Sequence, residues 1–219
     1  MQIQKFGHSC VQLTESGQKL LFDPGVFVFI EGKLTPEDIG PVDVVVITHT
    51  HPDHYFPEAL QKLYALKPFQ LLVSEATQKT MEADGVQIPT RVIAAGERIE
   101  VGSFSVQTYD CPHEQIPIPC PHNMAYKIND AVYHPGDSYM VPEGLGEVAV
   151  LLVPTGGPWA TTKQSVAFVE QVHPQRAIPI HDAMHKEFWL ERLNGGMLGW
   201  LKERGVEYKV LAPGETVEL

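Results

Sequence analysis

The alternation of apolar and polar positions predicts a β-rich first forty residues: Ile3 to Phe6, Cys10 to Thr14 with alternating Val11 and Leu13, and Lys19 to Phe22. Ser16-Gly17 marks a hairpin turn between the last two, and Asp23-Pro24-Gly25 a sharp exit from the third. Val26 to Asp38 is an apolar loop, a composition that suggests a lid or a flap covered by a partner. A strand over Val42 to Thr48 is followed by a helix from about Pro57 through Lys67, with Leu60, Leu63, Tyr64 and Leu66 at helical spacing. Strand Gln70 to Val73 leads into helix Glu75 to Ala83, which Gly85 closes. Short strands follow near Arg91 to Ala94, Arg98 to Val101 and Ser103 to Tyr109.

Cys111 to Pro121 carries Pro112, Pro117, Pro119 and Pro121, each of which fixes φ and removes a donor, so this piece reads as a stiff irregular loop. Strands Met124 to Ile128 and Ala131 to His134 are joined by an Asn129-Asp130 turn. The last third alternates: strand Val148 to Val153, helix Thr161 to Val172, strand Ala177 to Ile180, helix Lys186 to Arg204, strand Tyr208 to Leu211. Asn194-Gly195-Gly196 is expected to kink or split the closing helix. Strands with helices in both halves and no flexible linker predict an α/β fold. Two mixed sheets would pack face to face with helices outside, a four-layer α/β/β/α sandwich in one domain over residues 1–219.

Composition narrows the partners. Of 219 residues, 43% are hydrophobic and 20% charged, as in an ordinary globular protein with a sizeable core. Lys+Arg number 16 against 27 Asp+Glu, a formal net charge of −11, which argues against nucleic acid or an anionic membrane as partner. The N-terminus has no basic stretch followed by an apolar one, and Leu20 to Ile30 is broken by Asp23, Pro24 and Gly25, so the cytoplasm is the expected location. Nothing in the sequence decides for or against a homo-oligomer. Cys10, Cys111 and Cys120 cannot all pair with one another and are expected to be reduced thiols. Cys111, His113, Cys120 and His122 together form an alternative four-ligand zinc knuckle, at the cost of using up His113.

The chemistry concentrates in Thr48-His49-Thr50-His51-Pro52-Asp53-His54, directly after the apolar run Val44-Val45-Val46-Ile47. Three imidazoles and a carboxylate form the N/O donor set that Zn²⁺ favours, and the end of a buried strand can hold them while leaving one side open. Four more ligand-type residues stand at or beside predicted strand exits: Asp23, His113, Asp137 and His181. Taken singly, each is a common loop residue. Together they repeat one pattern, and strand ends from two sheets meet along one rim, where these side chains can converge.

That pattern resembles the metallo-β-lactamase superfamily of binuclear metal hydrolases. Closest in motif is its branch of uncharacterised metal-dependent hydrolases related to ascorbate-6-phosphate lactonase. The motifs are Gly7-His8-Ser9-Cys10, Asp23-Pro24, the His49–His54 loop, His134-Pro135-Gly136-Asp137-Ser138 and Pro179-Ile180-His181-Asp182, in the family's order along the whole chain. The resemblance implies that His49, His51 and His113 hold a first metal. It implies that Asp53, His54 and His181 hold a second, and that Asp137 bridges the two. Asp23 matches an early Asp that orients a ligand rather than binding metal, and His8 is expected to line the pocket. Relatives often carry a second His four residues after the third motif; here that position is Pro117, unless His122 takes the role.

The implied activity is hydrolysis of an ester, lactone or phosphoester of a small molecule, an anionic one included, by a metal-bound hydroxide, with Asp53 and Asp137 as the catalytic carboxylates. Zn²⁺ is the expected metal, with Mn²⁺ or Fe²⁺ as alternatives. Loops Val26 to Asp38, Cys111 to Pro121 and Thr155 to Trp159 would surround the pocket, with Trp159 and Phe27 or Phe29 as an apolar wall or as packing. Two rival readings keep the metal site: a non-catalytic sensor or scaffold, and a di-iron oxidoreductase of the same fold. A histidine at position 51 and the absence of a flavin domain after the site speak against the second.

Overall fold

In the computed structural model, which describes residues 1–219, the run Val44-Val45-Val46-Ile47 shows how the layers arise. Val44 and Val46 belong to a buried cluster of 22 side chains drawn from both sheets, whereas Val45 and Ile47 belong to one of 17 shared with helices. A strand buried on both faces lies inside a stack of layers. A third cluster, of 15 residues, joins the other sheet to the C-terminal helices. Three apolar interfaces require four layers, so the α/β/β/α sandwich is observed.

The first sheet is built from β1 (Gln2–Gly7), β2 (Cys10–Glu15), β3 (Gln18–Phe22), then, after α1 (Val26–Phe29) and α2 (Pro36–Ile39), β4 (Val44–Val46), α3 (Pro57–Leu66), β5 (Gln70–Val73), α4 (Glu75–Ala83) and β6 (Thr90–Val92). The second takes β7 (Arg98–Val101), β8 (Phe104–Asp110), β9 (Met124–Ile128), β10 (Val132–His134), β11 (Val150–Pro154), α5 (Thr162–Val172), β12 (Arg176–Ile180), α6 (Glu187–Lys202) and β13 (Glu207–Tyr208). The chain then returns to the first sheet as β14 (Thr216–Glu218), a short edge strand that periodicity does not reveal. Sheet orders are β14-β1-β2-β3-β4-β5-β6 and β13-β12-β11-β10-β9-β8-β7. Each sheet is antiparallel at one end, where hairpins connect neighbours, and parallel at the other, where helices cross over. Both expected turns form with positive φ at each central residue: Ser16 and Gly17, Asn129 and Asp130.

Two expectations fail. The segment Val26 to Asp38 is not an open loop: it folds into α1 and α2, which bury Val28 and Ile39 in the helix-side cluster. Asp38 accepts the Thr35 backbone N–H (2.8 Å), so a capping interaction starts α2 where composition suggested only a flap. The closing helix is neither kinked nor split at Asn194-Gly195-Gly196; α6 runs unbroken. Each mid-helix glycine costs about 1 kcal/mol in propensity. Leu193, Met197 and Leu201, four residues apart and buried on the second sheet, offset that cost by packing. No helix is long and apolar enough to cross a membrane.

Candidate metal centre

Strand direction places the site. Within the first sheet β1, β3 and β4 run the same way, as do β8, β10 and β12 in the second. Their C-terminal ends therefore share one rim of each sheet. At those ends sit His8, Asp23, the His49–His54 loop, His113, Asp137 and His181. The Met124 N–H donates to the Thr48 carbonyl (3.1 Å), lacing the two rims together.

The structure brings the predicted residues into two groups whose ligand atoms lie within 4.8 Å of one another: His49, His51, His113 and Asp137, and His8, Asp53, His54 and His181. In the first, His51 Nδ1 is 3.2 Å from His49 Nε2 and 3.1 Å from His113 Nε2, and Asp137 Oδ2 is 3.2 Å from His113 Nε2. In the second, Asp53 Oδ2 is 3.2 Å from His181 Nε2 and 3.8 Å from His54 Nε2. Asp137 also spans this side, with Oδ1 3.0 Å from His54 Nε2 and Oδ2 3.1 Å from His181 Nε2. For a tetrahedral ion with bonds of about 2.0–2.1 Å to nitrogen, donor atoms lie about 3.3 Å apart. The observed edges are close to that.

Side-chain hydrogen bonds choose which ring nitrogen is free. The fully buried Asp23 carboxylate accepts the Thr48 backbone N–H (2.8 Å), the Thr48 hydroxyl (2.7 Å) and His54 Nδ1–H (2.7 Å). Because the Thr48 hydroxyl donates to Asp23, its oxygen accepts His49 Nδ1–H (3.0 Å). His181 Nδ1–H donates to the Gly156 carbonyl (2.8 Å), and His113 Nδ1–H to the Glu114 carbonyl. All four rings are left presenting an Nε2 lone pair to the centre, as ligand histidines do when their outer N–H is held. His54 Nε2, His181 Nε2 and Asp137 Oδ1 are buried without any hydrogen-bond partner. Orphaned atoms of this kind are rare, and three at one point fit divalent cations held between them.

Electrostatics agree. Burial alone would raise the Asp137 and Asp53 carboxyls, yet the imidazoles around them hold both well below the ordinary range, with His181 and His8 directly facing the Asp53 carboxylate. Burial pulls His54 and His181 down, but Asp137 with Asp23 around His54, and Asp137 with Asp53 around His181, raise both, His181 to about 9. Burial lowers His49 well below its usual value and His8 to about 4. Buried carboxylates thus demand positive charge, which protons on His54 and His181 supply when cations do not.

A stability prediction follows for metal-stripped protein. His181 is raised above its unfolded value of about 6.5, so its contribution is complete below that pH and is lost as pH rises through about 9. The loss is of order 3 kcal/mol, or about 6–12 °C in melting temperature for a chain of this size. Thermal melts between pH 6.5 and 9.5 should show this decline without metal and a smaller one with Zn²⁺ bound; a flat metal-free profile contradicts it.

Other expectations resolve differently. The zinc-knuckle alternative does not form: Cys111 is buried with Sγ 3.6 Å from the Tyr133 hydroxyl, and Cys120 is exposed. His122 does not replace the absent second His. It is exposed, 3.4 Å from Asp110 and outside both groups. Trp159 is buried with its ring 5.3 Å from that of His181 and 6.0 Å from that of His113, so it packs directly on two candidate ligands. Phe27 stands edge-on to His8 at 5.1 Å, while Phe29 pairs with Phe56 instead.

Asn123 escaped the sequence reading. Buried between the proline-rich loop and β9, it donates from Nδ2 to the Cys111 (2.7 Å) and Pro135 (3.0 Å) carbonyls and accepts the Asp137 N–H (3.1 Å) at Oδ1. One amide thereby sets the loops that carry His113 and Asp137. Only its place beside the proline-rich loop hinted at this. Asn123→Ala leaves three buried backbone groups unpaired and is expected to cost about 3 kcal/mol or more. Denaturant titration should also show weakened metal binding, whereas an unchanged midpoint contradicts the assignment.

A family model described as a beta-lactamase superfamily domain matches residues 2–181, a span that contains every residue of both groups. Protein Rv0786c of Mycobacterium tuberculosis is 34% identical over 194 residues, covering 84% of this chain and 85% of its own. The UPF0173 metal-dependent hydrolase PH1671 of Pyrococcus horikoshii is 26% identical across 100% of both chains. Among solved structures, Igni18, a metallo hydrolase of Ignicoccus hospitalis, matches with a TM-score of 0.76 at 20% identity, covering 99% of this chain and 97% of that one.

Proposed function

From the premise that this chain belongs to the metallo-β-lactamase superfamily, we propose that it is a metal-dependent hydrolase using two divalent cations, most readily Zn²⁺, on an ester or lactone of a small molecule. The observation that carries this reading is Asp137, whose carboxylate lies within 3.0–3.7 Å of ring nitrogens from both groups: His49 and His113 on one side, His54 and His181 on the other. His49, His51 and His113 would hold one ion, and Asp53, His54 and His181 the other, with Asp137 between. Such ions supply, when bound, polarisation of the scissile group and a water nucleophile at neutral pH.

The chain's own residues set access and proton movement. The site opens at His51 and Asp53, the two least buried members; the Asp53 side chain is 16% exposed against 2% for Asp137. Asp53 is held ionised by the imidazoles beside it, so it would accept a hydrogen bond from the attacking water and orient it. Trp159, packed edge-on to His113 and tilted against His181, excludes water from one side.

Substrate class is read from the neighbouring space. A cavity of about 500 Å³ touches His113 and is otherwise lined by the proline-rich loop, including Pro112, Ile116, Ile118 and His122, with no Lys or Arg among its lining residues. Phosphate groups are commonly held by such cations. Their absence favours carboxylic esters and lactones over phosphodiesters. Metal-stripped protein reloaded with Zn²⁺ or Mn²⁺ should turn over chromogenic esters or lactones, at two ions per chain and without visible colour. Turnover of phosphodiesters alone, or an iron chromophore in the protein as isolated, would overturn the respective part of this reading.

A further inference from the structure

His8 lies in the β1–β2 turn, with its side chain fully buried against the second ligand group, and its Nε2 is near enough to that group to be counted as a fourth donor. Its hydrogen bonds point to a different role. The Ala183 backbone N–H, a group that can only donate, points at His8 Nδ1 (3.3 Å). Nδ1 must therefore carry the lone pair, and the neutral ring carries its proton on Nε2. That Nε2–H faces Asp53 Oδ2 at 3.0 Å. Asp53 Oδ2 is also the oxygen that faces His181 Nε2 and His54 Nε2. A nitrogen committed as a donor has no lone pair to give a cation.

The turn is itself tied to the far sheet. The His8 carbonyl accepts the His181 N–H (3.1 Å), and Lys5 Nζ donates to the Pro179 carbonyl (2.8 Å) and to Asp182 Oδ2 (2.6 Å). Lys5 is only 3% exposed, so this ion pair is a buried clamp rather than a surface contact. His8 and His181 both hold positive φ, 49° and 59°, a conformation uncommon for non-glycine residues that the surrounding contacts must maintain. The turn, the segment around His181 and the Asp53 carboxylate are thus parts of one rigid connection.

We infer that His8 is a positioning residue and not a metal ligand: locked as the Nε2-protonated tautomer by the Ala183 N–H, it donates to Asp53 Oδ2 and aims that oxygen at the second cation. The inference rests on the reading of Asp53 as a ligand of that cation. His8 would hold one lone pair of the oxygen, leaving the other for the ion and preventing the carboxylate from swinging away. It would also make the second ion's affinity depend on the segment Pro179–Ala183, which the proposed ligand set alone does not explain.

The test compares wild type with His8→Ala and His8→Gln. Glutamine keeps a terminal N–H donor at a reach similar to Nε2 but is a poor ligand for Zn²⁺. Metal-stripped proteins are titrated with Zn²⁺ in competition with a chelating dye, and with Co²⁺ followed by its visible absorption. Wild type should take two ions. His8→Ala should bind the second about 10–100-fold more weakly with the first unchanged. His8→Gln should restore most of that affinity and give the wild-type Co²⁺ spectrum.

If His8→Gln is as weak as His8→Ala and its Co²⁺ spectrum changes, His8 is a ligand and the inference falls. If His8→Ala binds both ions like wild type, the hydrogen bond does nothing for Asp53 and the inference also falls, while the two-metal reading stands. If wild type itself takes one ion, the two-metal reading fails first and carries this one with it. A measurement independent of variant folding is the long-range ¹H–¹⁵N correlation spectrum of metal-loaded wild type. It should show His8 neutral and protonated at Nε2; a proton at Nδ1 overturns the proposal.

Discussion

Asp137→Ala is expected to reduce turnover by at least about 10³-fold and, on the proposed two-metal reading, to lower metal content from two ions per chain to one or fewer. Two dications held in these neighbouring groups would repel strongly in a buried site, and Asp137 would supply negative charge to both. Asp137 is 2% exposed and lies 3.0–3.7 Å from ring nitrogens of His49, His54, His113 and His181. Without its charge His49 and His113 lose the carboxylate beside them, and only Asp53 and Asp23 remain against His54 and His181. Asp137→Asn separates charge from shape: it keeps the volume and is expected to lose the second ion as well. Elemental analysis of both variants, with circular dichroism to confirm the fold, checks the claim. Two tightly held ions in either variant would mean that Asp137 does not join the two groups.

Gly25→Ala is expected to prevent accumulation of folded protein, although Gly25 is no ligand and has unremarkable backbone angles (φ −83°, ψ 172°). A Cβ there would lie 1.9 Å from the Asp53 carbonyl oxygen, 2.0 Å from its carbon and 2.4 Å from the His54 nitrogen. All three are backbone atoms of the His loop, so no side chain can swing aside. The loop is pinned from both directions: the Val26 N–H donates to the Pro52 carbonyl (2.8 Å), and the His54 N–H to the His51 carbonyl (2.9 Å). Overlap of this kind must displace the loop that carries four site residues, His49, His51, Asp53 and His54, or unfold the chain. A cost above about 4–5 kcal/mol consumes most of the stability of an ordinary domain. Soluble yield and thermal melting should both collapse; a variant melting within a few degrees of wild type would show that the loop can retreat. Because the loss acts through backbone, added Zn²⁺ should rescue it poorly.

Much of the fold was legible because its signals are local. Alternation marked the hairpin strands, helical spacing marked α3, and Ser16-Gly17 and Asn129-Asp130 marked turns whose positive φ values the structure shows. The failures share a cause. Composition called Val26 to Asp38 a loop and Asn194-Gly195-Gly196 a break, but burial of Val28 and Ile39 in one case and of Leu193, Met197 and Leu201 in the other overrode propensity. The edge strand β14 was missed because three residues at a sheet edge carry too short a pattern to register.

For the site, the sequence by itself determined the inventory: which residues carry imidazole or carboxylate, that Asp23, His113, Asp137 and His181 stand at or near strand exits, and that His49–His54 follows a buried strand. Those features need only the chain's own order. Tertiary structure alone decided the distances at which these side chains meet, the role of Asn123, the contact of His8 with Asp53 and the intolerance of position 25. Each depends on distances between segments separated by 12 to 175 residues, such as Cys111 to Asn123 or His8 to Ala183. Such distances follow from strand direction, sheet order and packing, and no periodicity within a few residues can encode them.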